Sequence, residues 1–149
     1  MNLQRGSEIR MRFARIVFSI AAVYGFIVLV PLYFLLDKVG RDAPPPVTHP
    51  EFYYGFVGTA LLWQVVFVLI ATDPSRYRGL IAVAVLEKLV YTVPLFVLYM
   101  AGKVRASILG PSLVDPIFGA LFFIAYFRVP APGVGFVVAG RAVRPRSAG

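Results

Sequence analysis

The chain has 149 residues, 59% of them hydrophobic and 15% charged, with a net charge of +8. A soluble domain carries about 25% charged residues, so much of this apolar surface has to face something other than water. Cysteine is absent, which excludes a disulfide frame, a thiolate metal site and thiol redox chemistry.

The charges divide the chain into four long segments. Residues 16–36, IVFSIAAVYGFIVLVPLYFLL, carry no charge, and neither do residues 52–72, which begin FYYGFVGTALLWQ. Residues 79–102 are interrupted only by Glu87 and Lys88, and residues 106–127 only by Asp115. A helix crosses a ~30 Å hydrocarbon layer with about 20 apolar residues, and all four segments reach that length. The reading is an all-α polytopic membrane protein, a four-transmembrane-helix bundle over residues 1–128 with spans of about 16–36, 52–72, 79–102 and 106–127. Residues 129–149 are rich in Pro, Gly and Arg and are expected to form a disordered cytoplasmic tail.

The first segment has the basic start of a signal peptide, but its apolar run is longer than the roughly 7–15 residues of such a leader. It passes through Pro31 into PLYFLLDKVGRD with no small-x-small cleavage site, so it is read as a span. A membrane β-barrel would need apolar and polar residues in alternation, and these segments show none.

Orientation follows from the basic residues. With four spans both termini share a side, which holds Arg5, Arg10, Arg12, Arg15, Arg76, Arg78, Arg128, Arg141, Arg144 and Arg146. The other side holds Lys38, Arg41, Lys103 and Arg105. Ten against four puts both termini in the cytoplasm. Because these residues flank spans, they answer anionic lipid headgroups, at about 1 kcal/mol each. Nucleic acid is not an expected partner.

Three connections join the spans. DKVGRDAPPPVTHPE (37–51) reads as an external loop stiffened by Pro44, Pro45 and Pro46. In TDPSRYRG (72–79), Asp73 or Ser75 is placed to cap the next helix, with Pro74 in its first turn. KVR (103–105) is so short that the third and fourth spans must be antiparallel neighbours. Tyr33, Phe52, Tyr53, Tyr54 and Tyr99 mark the outer interface, and Tyr77, Tyr126 and Phe127 the inner one. The pairs Ala21 with Gly25 and Gly55 with Thr59 suit close helix approach, although chance accounts for such spacing about as well.

The third span holds the main anomaly. On an insertion scale its twelve Leu, Ile, Val and Phe residues from Leu80 to Leu98 contribute roughly −5 kcal/mol, while Glu87 and Lys88 ask about +6. That helix needs partners. At 1.5 Å per residue, Glu87 and Lys88 lie about 13–15 Å from the Arg78 edge, Gln64 about 13–14 Å from Asp73 and Asp115 about 19–20 Å from Arg128. These four fall in one layer near the midplane. Lys88 is expected to pair with Asp115, which leaves Glu87 without a counter-charge, stacked near Tyr91 and turned toward Gln64 or Trp63. The plainer account of the layer is helix–helix glue at a modest ~0.6–2 kcal/mol per contact. The functional account is a ligand site or proton path, the usual meaning of ionisable groups inside a membrane.

His49, the single histidine, stands in the external THPEF stretch and reads as a solvated loop residue. No His-cluster or Glu-x-x-His spacing supports a metal. GVGFVVAG in the tail lacks the preceding strand and following Lys-Ser/Thr of a phosphate loop.

HPEFYYGFVGTALLWQ, TDPSRYRG, VLEKL and LVDPIFGALFFIAYFR together resemble a group of small uncharacterised bacterial membrane proteins. In length and layout the chain also resembles the DoxX-like four-helix membrane proteins. The resemblance spans residues 12–128 and implies a four-helix bundle in a bacterial inner membrane, with no activity attached to it.

Two functions fit. The first is a non-enzymatic protein that binds a lipid, a quinone or a partner subunit in its bundle, with Glu87, Lys88, Asp115, Gln64, Trp63 and Tyr91 as candidate site residues. The second is a small proton-coupled transporter or a membrane-embedded lipid-modifying enzyme using Glu87. A transporter of this size would have to form a homodimer to enclose a path. An enzyme would need Tyr91 or Asp115 as a second catalytic group. No cofactor is named by the residues.

Overall fold

The computed structural model describes residues 2–42 and 46–131, with side chains from residue 8 onward. Among the described residues the regular elements are α1 Asn2–Leu32, α2 Leu36–Asp42, α3 Pro50–Thr72, α4 Arg78–Met100, α5 Ala106–Ser112 and α6 Val114–Arg128. Four stretches are long and apolar enough to cross a membrane: Glu8–Leu32, Pro50–Thr72, Arg78–Met100 and, across α5 and α6, Ala106–Arg128. The fold is a four-helix bundle with the layout of a multi-pass membrane protein. The expected disordered tail beyond residue 131, the GVGFVVAG stretch, and Pro44 and Pro45 lie outside the described residues.

Prolines shape the boundaries. Pro31 has no N–H to give the Ile27 carbonyl, and α1 ends one residue later. The chain then tightens into three-residue steps, with Tyr33, Phe34 and Leu35 N–H groups on the carbonyls of Val30, Pro31 and Leu32 at 3.3, 2.9 and 3.2 Å. The Tyr53 hydroxyl donates to the Leu32 carbonyl at 2.8 Å and satisfies one exposed acceptor at that helix end. Residues 37–42, expected as loop, belong with Leu36 to α2 instead.

The turn before α4 also departs from expectation. Asp73 does not cap α4; its Oδ1 accepts from the Arg76 N–H at 3.1 Å, closing the turn a few residues earlier. Ser75 reaches across to the Pro130 carbonyl at 3.4 Å, and α4 begins at Arg78 with no side-chain cap.

The fourth span is not continuous. Pro116 offers no N–H to the Ser112 carbonyl and its ring crowds it, so the helix breaks at Leu113. The Leu113 N–H falls back on the Gly110 carbonyl at 3.1 Å. Pro94 produces no such break, and α4 runs through it to Met100.

α1 packs along α3, α4 along α6, and α1 against α6, whereas α3 and α4 meet over a shorter stretch. At the centre, Phe18 of α1, Phe67 of α3 and Phe122 of α6 are fully buried. Phe18 stacks on Phe122 at 4.2 Å, and Phe67 meets Phe122 edge-on at 5.0 Å. Helices in lipid gain little by hiding apolar surface, so this fit stabilises through dispersion and aromatic geometry. Buried Ala14, Ala21 and Ala22 let α1 approach closely, but Gly55 faces open space and Thr59 is exposed, so that pair joins no helices. Phe34, Leu62, Val90 and Phe127 are two-thirds exposed or more and suit a lipid surround.

Candidate functional site

The break in the fourth span sets the depth of the site. α6 starts at Val114, which puts Asp115 in its first turn, where the helix dipole favours a carboxylate. α4 passes alongside closely, because Gly119 has no side chain: a Cβ there would stand 3.3 Å from Lys88 Cβ. Lys88 is therefore buried, 8% exposed, and its Nζ donates to Asp115 Oδ1 at 2.7 Å. The same ammonium lies 5.3 Å from the centre of the Phe67 ring, within cation–π range.

Glu87 is not without a counter-charge, contrary to the expectation from helix directions. Its Oε1 receives Lys88 Nζ at 3.4 Å, and its Oε2 lies 3.2 Å from the same nitrogen. Adjacent positions on a helix do point about 100° apart at the Cα. The four-methylene stem of Lys88 lets its tip fold back between the two carboxyl groups. The contact to Oε2 lacks hydrogen-bond geometry, so this buried oxygen has no hydrogen-bond partner. Glu87 makes no hydrogen bond to Gln64 or Trp63.

Gln64, 4% exposed, comes to the layer from α3. Its Nε2 donates to the Ala60 carbonyl at 2.9 Å. Its Oε1 rests over Gly25 of α1, where an added Cβ would come within 2.1 Å. Gly25 is thus the seat of the Gln64 amide. No donor reaches that Oε1 among the described residues.

Tyr91 lies one turn beyond Glu87 on α4, and its hydroxyl stands 3.2 Å from Ser112 Oγ. Ser112 gives its own proton to the Ile108 carbonyl at 2.9 Å, so Tyr91 is the donor in that pair. Tyr91 also stacks on Phe56 of α3, with ring centres 5.9 Å apart.

A cavity of about 230 Å³ opens above this layer toward the end of the bundle that carries α2 and α5. Glu87, Lys88, Asp115 and Gln64 line its polar part, and Val28, Leu29 and Phe118 are among its apolar walls. A second, more apolar hollow of about 480 Å³ lies in the α3–α4 seam, along Trp63, Leu86 and Val90. Phe56, Ala60, Glu87 and Tyr91 line both. Trp63 belongs to the seam and not to the central cavity.

Sequence reasoning passed over Ser112, Gly25 as a seat and the Phe56 wall. The signal for Ser112 was present in GPSLVDP, whose two prolines mark a break at membrane depth. His49 stays on the surface, with Nδ1 at 3.1 Å from Glu51 Oε1. Among the described residues no group of three metal-capable side chains forms.

The chain matches no family model, no curated protein and no solved structure. Its chemistry is read from these residues alone. They offer one buried ammonium, two carboxylates and an amide at the floor of an apolar cavity that shares a wall with the α3–α4 seam.

Proposed function

We propose that this chain is an inner-membrane protein, with both termini cytoplasmic, that binds an amphiphile in its bundle. The observation that carries the reading is the pairing of a charged floor with apolar walls. Pockets for small ligands are commonly apolar with a few placed polar groups, and this cavity has that form. Its volume of about 230 Å³ takes a polar end and a few carbons, not a whole lipid. The remaining chain would lie through the α3–α4 seam, which shares Glu87 and Tyr91 with the cavity. A lipid suits this geometry better than a quinone. A quinone's carbonyls are acceptors and would compete with Glu87 and Asp115 for Lys88.

A second reading, in which Glu87 carries protons for a transporter or acts as an acid on lipid, is favoured by one observation: its buried Oε2 has no hydrogen bond. Both readings place the ligand in the same cavity.

The test is to purify the full chain in mild detergent and identify bound lipid by native mass spectrometry. Ala60→Leu fills the shared wall of cavity and seam, and should lower the bound fraction several-fold. Leu62→Ala, on the lipid-facing surface, should leave it unchanged. Equal lipid retention in both variants would show that the cavity does not hold the ligand.

A further inference from the structure

Resting on the cavity-binding reading, we infer that the polar end seated on this floor is a primary ammonium, so that the ligand class is a long-chain amine or aminolipid. The floor has two carboxylates, Glu87 and Asp115, against one ammonium, Lys88. In their ordinary charge states these groups leave one negative charge uncompensated. Inside a membrane such an excess is expensive unless it is paired.

The open hydrogen-bonding positions agree with the charge. Lys88 directs its ammonium at both carboxylates. The Ser112 proton is committed to Ile108 and the Tyr91 proton to Ser112. One N–H of Lys88 and one of the Gln64 amide carry no hydrogen bond, and beside them stands acceptor capacity that also bears the excess negative charge. Glu87 Oε2 is buried without a hydrogen bond, and Gln64, more than nine-tenths buried, has an Oε1 that no donor reaches among the described residues. Both side chains line the cavity. An ammonium brings three donors and one positive charge to these acceptors. A carboxylate or phosphate end would face Glu87 and Asp115 with like charge. A neutral hydroxyl would leave the charge uncompensated.

The bulk charge of the protein makes the inference easy to test. At +8 overall, nonspecific attraction favours an anionic amphiphile over a cationic one. A preference for the amine can therefore come only from the local site. Binding of dodecylamine, dodecanol and dodecanoate to the full chain would be measured in phosphatidylcholine nanodiscs, with empty discs subtracted.

The expected result is saturable binding of dodecylamine, tighter than the other two by about tenfold or more, the worth of one charge-assisted hydrogen bond. Glu87→Gln should abolish the preference, and Gln64→Leu, which leaves the charges alone, should reduce it. Thermal unfolding of each variant separates lost binding from lost structure. Adding phosphatidylethanolamine to the discs tells the sources apart: competition with dodecylamine identifies a lipid headgroup, and its absence a free amine. If dodecanol or dodecanoate binds as tightly as the amine, the ammonium assignment is overturned while the cavity reading stands. If none of the three saturates, both fall.

Discussion

At the scale of single residues, the three charges in the layer are unequal. Lys88 serves both carboxylates, at 2.7 Å to Asp115 and 3.2 Å to Glu87. Asp115 serves only Lys88. Replacing Lys88 with Met should therefore cost more than replacing Asp115 with Leu. Lys88→Met leaves two carboxylates facing each other in oil, and breaking such a buried pair costs about 3–5 kcal/mol. In Asp115→Leu, Lys88 keeps Glu87 as its partner, and the loss should be roughly half as large. Unfolding free energies in detergent would decide it, and equal losses would mean that Glu87 does not hold Lys88. The position of Lys88 against Asp115 was legible from helix rise alone, because two charges at one depth on adjacent antiparallel helices have few other places to go. The place of Glu87 was not. Helix angles describe Cα–Cβ directions, and a lysine stem is long enough to override them.

At the scale of elements, hydropathy registers length and misses a break. The four charge-free segments were visible because charges are rare in a spanning helix and common just outside it. The discontinuity at Leu113 leaves hydropathy unchanged, since Gly, Pro and Ser count as mild residues. Its cause is Pro116, whose missing N–H leaves the Ser112 carbonyl without its helical donor, at the residue whose hydroxyl Tyr91 meets. Pro94 shows that a proline alone is not decisive, for α4 stays continuous. Irregular backbone at membrane depth is tolerated where it borders a cavity, and Pro111, Ser112 and Val114 border this one. Pro116→Ala should therefore restore the bond to Ser112 and straighten α5 and α6 toward one helix. The chain has no native cysteine, so spin labels at introduced cysteines 106 and 127 report without background. Twenty-one residues of unbroken helix span about 32 Å, and the labels should move apart toward that separation in the variant. An unchanged distance would mean that contacts with α4, and not Pro116, hold the break open.

At the scale of the whole molecule, Arg10, Arg12, Arg15, Arg76, Arg78 and Arg128 stand at one end of the bundle, and Arg78 and Arg128 are built into its packing. Arg78 lies 4.0 Å over the Tyr126 ring and donates through Nε to the Val129 carbonyl at 3.0 Å. Arg128 lies 4.7 Å over Phe13. These contacts join α1, α4 and α6 just where an interface would run, and they leave each guanidinium able to meet lipid phosphate. The opposite end has fewer cations, and there Lys38 is paired with Asp42. Orientation responds to the count of Lys and Arg near short loops, and ten against four is a wide margin. Reporter fusions at position 45 and position 149 should accordingly report opposite sides of the membrane, with 149 cytoplasmic. Two cytoplasmic reports would mean that an even number of spans separates the two sites, whereas four crossing helices place three between them. A cytoplasmic 45 with an external 149 would keep the four spans and reverse the bundle. The cavity would then open toward the cytoplasm, and any amphiphile reaching its charged floor from the headgroup region would come from the inner leaflet.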